Sequence, residues 1–230
     1  MKKRMELPAG IPCKRDQLRR IYKRQFEEIA SLRRHIFSQL PLRQVRTVFE
    51  PGCGFGLLGK ELQALTDASY TGMDIDSEIL PEGNEFITGD ALKDPLSADL
   101  YVSSFFFSSV DKPIKWLKKV RKYLSPGGLF AVFAEYDYTC IGELPDIGMA
   151  ESIREGLEKD SIITTNGSQL DYFFQEAGFT KFAGGEVPGI LQRPDRDFLD
   201  MHTENIPDEL PLMSWSIVWG IWRRGAKVNR

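Results

Sequence analysis

The 230-residue sequence predicts an α/β domain on a doubly wound, mostly parallel, seven-stranded sheet with an antiparallel edge strand. Three observations carry this. Short apolar runs alternate with helical patterns from Val45 to Ala134, the rhythm of successive β-α-β units. A glycine-rich turn lies between the first such run and the helix after it, where open α/β sheets take their ligands. The last strand-like segment, Trp215–Trp222, alternates Trp215, Ile217, Trp219 and Ile221 on one face. Pairing it with Phe179–Val187 sets an antiparallel edge on the parallel sheet.

The elements follow in order. Apolar residues from Leu18 to Leu40 fall at helical spacing, predicting a helix over 16–40 that Pro41 ends. Arg19, Arg20, Lys23, Arg24, Arg33 and Arg34 lie on its opposite, solvated face. Val45–Phe49 reads as the first strand, and Leu57, Leu58, Leu62 and Leu65 mark the next helix. Ser69–Met73, Phe86–Thr88 and Leu100–Ser103 are strands two to four. A helix over Ile114–Leu124 stops at Ser-Pro-Gly-Gly, and Leu129–Ala134 is strand five. Helices at 147–159 and 168–177 precede the final strand pair, whose members flank a polar, proline-bearing insertion from Pro188 to Pro211.

Composition narrows the function classes. Apolar residues make up 42% and charged residues 27%, ordinary globular usage that excludes a disordered or fibrous chain. Cys13, Cys53 and Cys140 are scattered and odd in number, so they form neither a zinc pair nor a disulfide framework, and a reducing cytoplasm is expected. No apolar run approaches the roughly 18 residues of a membrane span. Met-Lys-Lys-Arg opens the chain with no apolar stretch behind it, unlike a signal peptide. The net charge of −3 hides an asymmetry: residues 1–46 hold 13 Lys/Arg against 4 Asp/Glu, and the remainder 17 against 29.

The richest stretch is Glu50-Pro-Gly52-Cys53-Gly54-Phe55-Gly56-Leu-Leu-Gly59. Two registers compete. Gly54-x-Gly56-x-x-Gly59 matches the dinucleotide fingerprint, but it starts five residues past Phe49 instead of directly after the strand. Glu50-x-Gly52-x-Gly54-x-Gly56 starts at the strand end. A pyrophosphate needs N–H groups and no carboxylate, so Glu50 opposes the first register. A cationic ligand is drawn to it. The second register resembles motif I of the class I S-adenosylmethionine-dependent methyltransferases, and later motifs follow in that family's order.

The resemblance covers residues 40–135 well and implies a Rossmann-like methyltransferase fold, S-adenosyl-L-methionine as cofactor and a cofactor site. Glu50, Gly52, Cys53, Gly54 and Gly56 form its loop. Asp74, in Thr71-Gly-Met-Asp-Ile-Asp76, is implied to hold the ribose hydroxyls, with Asp76 as fallback and Ile75 against the adenine. Asp90 is implied to accept from the adenine amino group and Ala91 to present backbone to the ring. Ser103 corresponds to the position whose backbone faces the methionine part. The resemblance further implies a lid from the basic segment 1–44, ahead of a domain at 45–230, with cap or insertion segments at 136–166 and 188–212.

The acceptor is open. Ser104-Phe-Phe-Phe-Ser-Ser109 lacks the Asn/Asp-Pro-Pro-Tyr/Phe pattern of enzymes that methylate exocyclic base nitrogens, and its phenylalanines are either an acceptor wall or core. Tyr136, Asp137 and Tyr138, with Glu135 before them, are candidates to orient an acceptor or take its proton, or else hydrogen-bonded turn residues. His202 reads as a lone surface histidine and Cys140 as a packed thiol. No cluster has metal-ligand spacing. The basic head points to an acidic acceptor, protein or RNA, while small molecules stay open. An NAD-dependent oxidoreductase and a non-catalytic binding subunit of the same fold are the rival functions.

Overall fold

The computed structural model describes residues 14–203 and 206–225. Cys13 and the first part of the basic segment lie outside the described residues.

The chain opens with α1 (Lys14–Glu28) and α2 (Ala30–Gln39). The single helix expected over 16–40 is therefore kinked at Ile29. The Arg33 guanidinium takes the Phe26 carbonyl, the acceptor that a continuous helix gives to the Ala30 N–H. Arg33 is only 5% exposed, lies over the Phe26 ring and bonds Glu61 at 2.6 Å, so it is not on the solvated face. Leu40, before Pro41, is extended, as proline requires of its predecessor.

Then come β1 (Thr47–Pro51), α3 (Leu57–Leu65), β2 (Ser69–Asp74), β3 (Phe86–Thr88), β4 (Ala98–Ser104) and α4 (Pro113–Tyr123). The second half holds β5 (Leu124–Leu144), α5 (Met149–Lys159), α6 (Leu170–Glu176), β6 (Phe179–Val187), α7 (Arg196–His202) and β7 (Leu212–Arg224). The sheet has seven strands in the order β3-β2-β1-β4-β5-β7-β6. The first five are parallel, and β7 runs antiparallel between β5 and β6. The expected α/β architecture and antiparallel edge pair are present.

Several boundaries differ from expectation, and two of them bear on the site. Strand one ends two residues later, so Glu50 belongs to the strand and is buried by it. Strand five does not stop at Ala134. Residues 136–144 run on against the start of β7, with Tyr136 opposite Ile217 and Leu144 opposite Leu212. The segment 136–166 thus begins as sheet and becomes helical only at α5.

Helices cover both faces. On one, Trp116, Leu117 and Val120 of α4 and Leu170, Phe173 and Phe174 of α6 pack on Phe49, Tyr101 and Phe130. On the other, Ile36 and Phe37 of α2 and Leu58 and Leu62 of α3 pack on Val48, Val102 and Phe133. A third cluster joins Tyr136, Tyr138 and Ile217 of the extended β5–β7 ribbon to Ile21 of α1, Ile153 of α5 and Phe198 of α7. Among the described residues no helix is long and apolar enough to cross a membrane.

The first core closes on an aromatic stack: Phe174 lies on Trp222 with centroids 3.9 Å apart and planes 6° from parallel. Phe174 also meets Phe107, Phe130 and Phe179 edge-on or tilted. Phe174→Ala is expected to cost about 3–5 kcal/mol, read from the urea midpoint at constant m-value.

Candidate functional site

The site grows from the point where β1 and β4 part. Their pairing ends at Phe49–Tyr101, and beyond it the strands part, the place where open α/β sheets form a crevice. It is also the sheet's topological switch point, because β1 connects outward to β2 while β4 lies on its other side.

Three glycines turn the chain from β1 into α3. Gly52, Gly54 and Gly56 have φ of +67°, +52° and +65°. At Gly52 a Cβ would stand 2.4 Å from a ring carbon of Phe106, so both conformation and space exclude a side chain there. Gly52 and Cys53 both donate to the Met73 carbonyl, at 2.7 and 3.2 Å, fixing the loop to β2.

Glu50 sits under this loop, 4% exposed. Its one hydrogen-bonding side chain is Tyr70, whose hydroxyl donates at 2.5 Å. Burial pushes the Glu50 carboxyl up to about 8; the Tyr70 bond opposes this and nearby Asp74 adds to it. The Cys53 thiol beside it is buried and raised by burial and by both carboxylates, so it is not a reactive thiolate.

Asp74 ends β2. One oxygen accepts from Gly54 N–H at 2.9 Å and the other from Asp76 N–H at 3.0 Å. Burial raises its carboxyl, and these backbone bonds oppose the rise. The pair of bonds aims a carboxylate across the loop with lone pairs to spare. Ile75, next to it, is 74% exposed, an apolar face with nothing packed on it. The Asp76 side chain instead caps its own turn, accepting from Glu78 N–H.

Asp90 follows β3. Burial alone would raise its carboxyl, but the Lys93 ammonium at 2.8 Å and the Leu92 N–H hold it below the ordinary value. Ala91 is buried, and its carbonyl accepts from the Trp116 indole at 3.0 Å. Ser103 is wholly enclosed in β4, and neither its hydroxyl nor that of Ser104 has a partner among the described residues. The crevice thus brings together Glu50, the three glycines and Asp74, with Ser103 across the gap. Asp90 and Ala91 lie one strand further out.

The candidates after strand five separate. Tyr136 is buried on β5, packs on Phe105 and Trp215, and donates to Glu28 Oε2 at 3.1 Å. Burial holds both Tyr136 and Tyr138 well above the ordinary phenol value. Asp137 accepts from the Thr139 N–H and hydroxyl, a turn-forming role. Glu135 accepts from Phe106 and Phe107 N–H at 2.6 and 2.8 Å and so shapes the loop after β4, with burial lifting its carboxyl to about 7. Of the three phenylalanines, Phe107 is core and Phe105 and Phe106 are half-buried beside the crevice. His202 is not a lone surface residue: it pairs with Asp160 at 2.9 Å and packs on Phe198. Cys140 is exposed, not packed. No metal-binding cluster exists among the described residues.

Sequence patterns missed Tyr22. It reads as part of the buried stripe of α1, yet its ring lies on Gly54 and edge-on to Phe55, 5.5 Å away. Arg19 stands over the same Phe55 ring. Helix α1 therefore covers the glycine loop.

Residues 49–130 match the family model described as a methyltransferase domain. Over that segment the chain is similar to a methyltransferase domain. The match runs from β1 to β5 and includes the whole loop and both strand-end acids. No curated protein matches the chain. Among solved structures, a chain from Haloferax volcanii in complex with the Trm112 methyltransferase activator is 15% identical, with TM-score 0.61, covering 94% of this chain and 99% of that one. The YcgJ protein of Bacillus subtilis is 14% identical, with TM-score 0.57, over 84% and 97%. An S-adenosylmethionine dependent methyltransferase from Mesorhizobium loti is 19% identical, with TM-score 0.53, over 84% and 95%. At these identities the likeness is one of fold, and it extends beyond residues 49–130 to the final antiparallel pair.

The raised Glu50 carboxyl has a thermodynamic consequence. Its pKa is about 8 in the fold against an ordinary 4.5, so between those values the folded chain binds more protons than the unfolded one. Stability then falls as pH rises through that window. Urea unfolding of the ligand-free protein at pH 5 and pH 8 is expected to show this fall, and Glu50→Gln to lessen it, the remainder coming from Glu135.

Proposed function

We propose that this chain is an S-adenosyl-L-methionine-dependent methyltransferase acting in the cytoplasm, with the crevice between β1 and β4 as its cofactor site. The observation that carries the reading is Glu50: a buried carboxylate under a glycine loop, hydrogen-bonded by one phenol. An unmatched carboxylate in low dielectric favours a positive ligand. S-adenosylmethionine brings an ammonium and a sulfonium; a dinucleotide brings phosphates, which offer no positive charge to replace the Glu50 proton. The donor set fits the first, which disfavours the oxidoreductase.

When bound, the cofactor supplies an electrophilic methyl group. The chain's own residues bind and orient. Gly52, Gly54 and Gly56 let backbone approach, Asp74 offers its remaining lone pairs to the ribose hydroxyls, and Ile75 gives the adenine an apolar surface. Asp90 and Ala91 serve the adenine edge, and Ser103 the methionine end. Methyl transfer to a thiolate or amine needs mainly proximity and alignment, so the absence of a strong base among Tyr136, Asp137 and Tyr138 does not oppose it. Tyr22 lies on Gly54, so a ligand on the glycines acts on α1, the lid.

An acidic protein or RNA acceptor has less to rest on than the charge asymmetry implied. Arg20 and Arg24 pair with Asp197 and Asp195 at the start of α7, at 2.7 and 2.8 Å, and Arg33 is buried. A non-catalytic subunit of the same fold would lose the need for Glu50 and Asp74, both of which are in place.

Calorimetry tests the reading. Asp74→Ala is expected to weaken S-adenosylmethionine at least tenfold, about 1.4 kcal/mol, without unfolding the chain. Absence of binding by the folded wild type overturns the proposal. Below about pH 8 the cation must expel a proton from Glu50. Binding heats measured at pH 7 in two buffers of different ionisation enthalpy should therefore report proton release, and Glu50→Gln should remove that component.

A further inference from the structure

A cavity of about 380 Å³ lies along α1, between that helix and the start of α7. Ile21, Phe198, Trp215 and the Tyr136 ring give it apolar and aromatic walls, and Glu28 and Gln192 open onto it. Its size suits a small organic molecule.

The chemistry of its charges is specific. One Glu28 oxygen accepts from the Tyr136 hydroxyl at 3.1 Å and the other from the Gln192 amide at 3.3 Å. Both donors are neutral, and Glu28 is exposed at the cavity's open mouth, so the two bonds fix the carboxylate's direction while its charge faces solvent and any ligand that enters. Other charges on the rim are already matched: Arg24 by Asp195 at 2.8 Å and Glu27 by Lys23 at 3.8 Å. Arg193 also reaches the rim and is exposed. A fixed carboxylate among aromatic faces is a site for an ammonium ion, bound by charge and by the ring quadrupoles.

We propose that this cavity binds a small organic ammonium compound. Resting on the methyltransferase reading, that compound is the acceptor: its ammonium first gives a proton to solvent, and the freed nitrogen lone pair takes the methyl group as the sulfur–methyl bond breaks and leaves a neutral thioether. The position supports this. Tyr136 packs on Phe105, the residue after β4, with centroids 4.7 Å apart. The next residue, Phe106, lies against Gly52 of the glycine loop. Successive residues of α1 divide between the two sites, Ile21 lining the cavity and Tyr22 lying on Gly54. Glu28 orients the ammonium form; it touches no group of the glycine loop.

The ammonium has two chemical sources, a simple amine or an amino acid whose carboxylate would meet Arg193. Calorimetry of the full chain with phenethylamine, phenylalanine, 2-phenylethanol and 3-phenylpropionate separates them. Phenethylamine or phenylalanine should bind at least tenfold tighter than the neutral alcohol, and Glu28→Gln should abolish that preference. Tighter phenylalanine assigns the amino-acid class, tighter phenethylamine the simple amine. Equal binding of amine and alcohol, preference for 3-phenylpropionate, or no binding of either ammonium probe overturns the proposal. So does preference that survives Glu28→Gln in a variant whose melting curve matches wild type, and Trp215→Leu supplies a second variant with the carboxylate intact, expected to weaken amine binding. No donor is present in these titrations. Amine binding without S-adenosylmethionine binding therefore refutes the acceptor role and the methyltransferase reading while retaining the site; the converse refutes this cavity's role alone.

Discussion

Glu50 is a carboxylate held in the interior, and much of the surrounding sequence exists to hold it there. Its donor is the Tyr70 phenol, which reaches it only because two positions lack side chains. A Cβ on Gly59 would stand 2.2 Å from the Tyr70 ring, and one on Gly72 2.6 Å from its hydroxyl. Gly59 is the third glycine of the rejected dinucleotide register. In that fingerprint it would allow helix and strand to pack closely. Here it has an equivalent packing duty, serving a hydrogen bond to a carboxylate. The same residue thus satisfies a pattern for one ligand while the structure uses it to keep an acid that suits another.

This burden is tolerable because the carboxyl can hold its proton. A raised affinity for protons is the chain's response to burial without a cation. In the proposed complex, the cofactor's positive charge takes the proton's place. Asp74, 24 positions along and one strand over, is treated differently. Backbone N–H groups on both oxygens stabilise its charged form and aim it. The two acids therefore have distinct physical roles, one matching charge and one accepting hydrogen bonds.

The strand order of chemistry along the first half was legible because each motif is local. A strand end, a glycine turn and an acid two strands later can be read by counting. What was not legible depends on partners far along the chain. Strand five outruns its pattern because β7, more than 60 residues later, offers it a continuing partner from Leu212 onward. The kink at Ile29 follows from where Arg33 finds an acceptor, which periodicity does not report. Tyr22 carried the signature of a core residue, and only the packing of α1 on Phe55 places it over the loop. The basic head was visible as charge, but its counter-ions at Asp195 and Asp197 lie about 175 positions away.

Those ion pairs give α1 its place in the molecule. They are exposed on the arginine side, so each is worth little alone, about 1 kcal/mol or less. Their effect is positional. They tie a 15-residue helix to α7, beside the cavity that α7 helps to wall. Tyr22 and Glu28 belong to that one helix, Tyr22 lying on the glycine loop and Glu28 lining the cavity. A ligand that displaces the Tyr22 ring from Gly54 acts on the helix that also carries Ile21 and Glu28. Any such effect is mutual by thermodynamic necessity: whichever ligand binds first sets the state of α1 that the second one meets. The pairs are weak and exposed, but Ile21 of the same helix is buried in the third apolar cluster, so α1 is anchored by both. The basic residues of α1 are then best understood as one of two attachments of a shared wall.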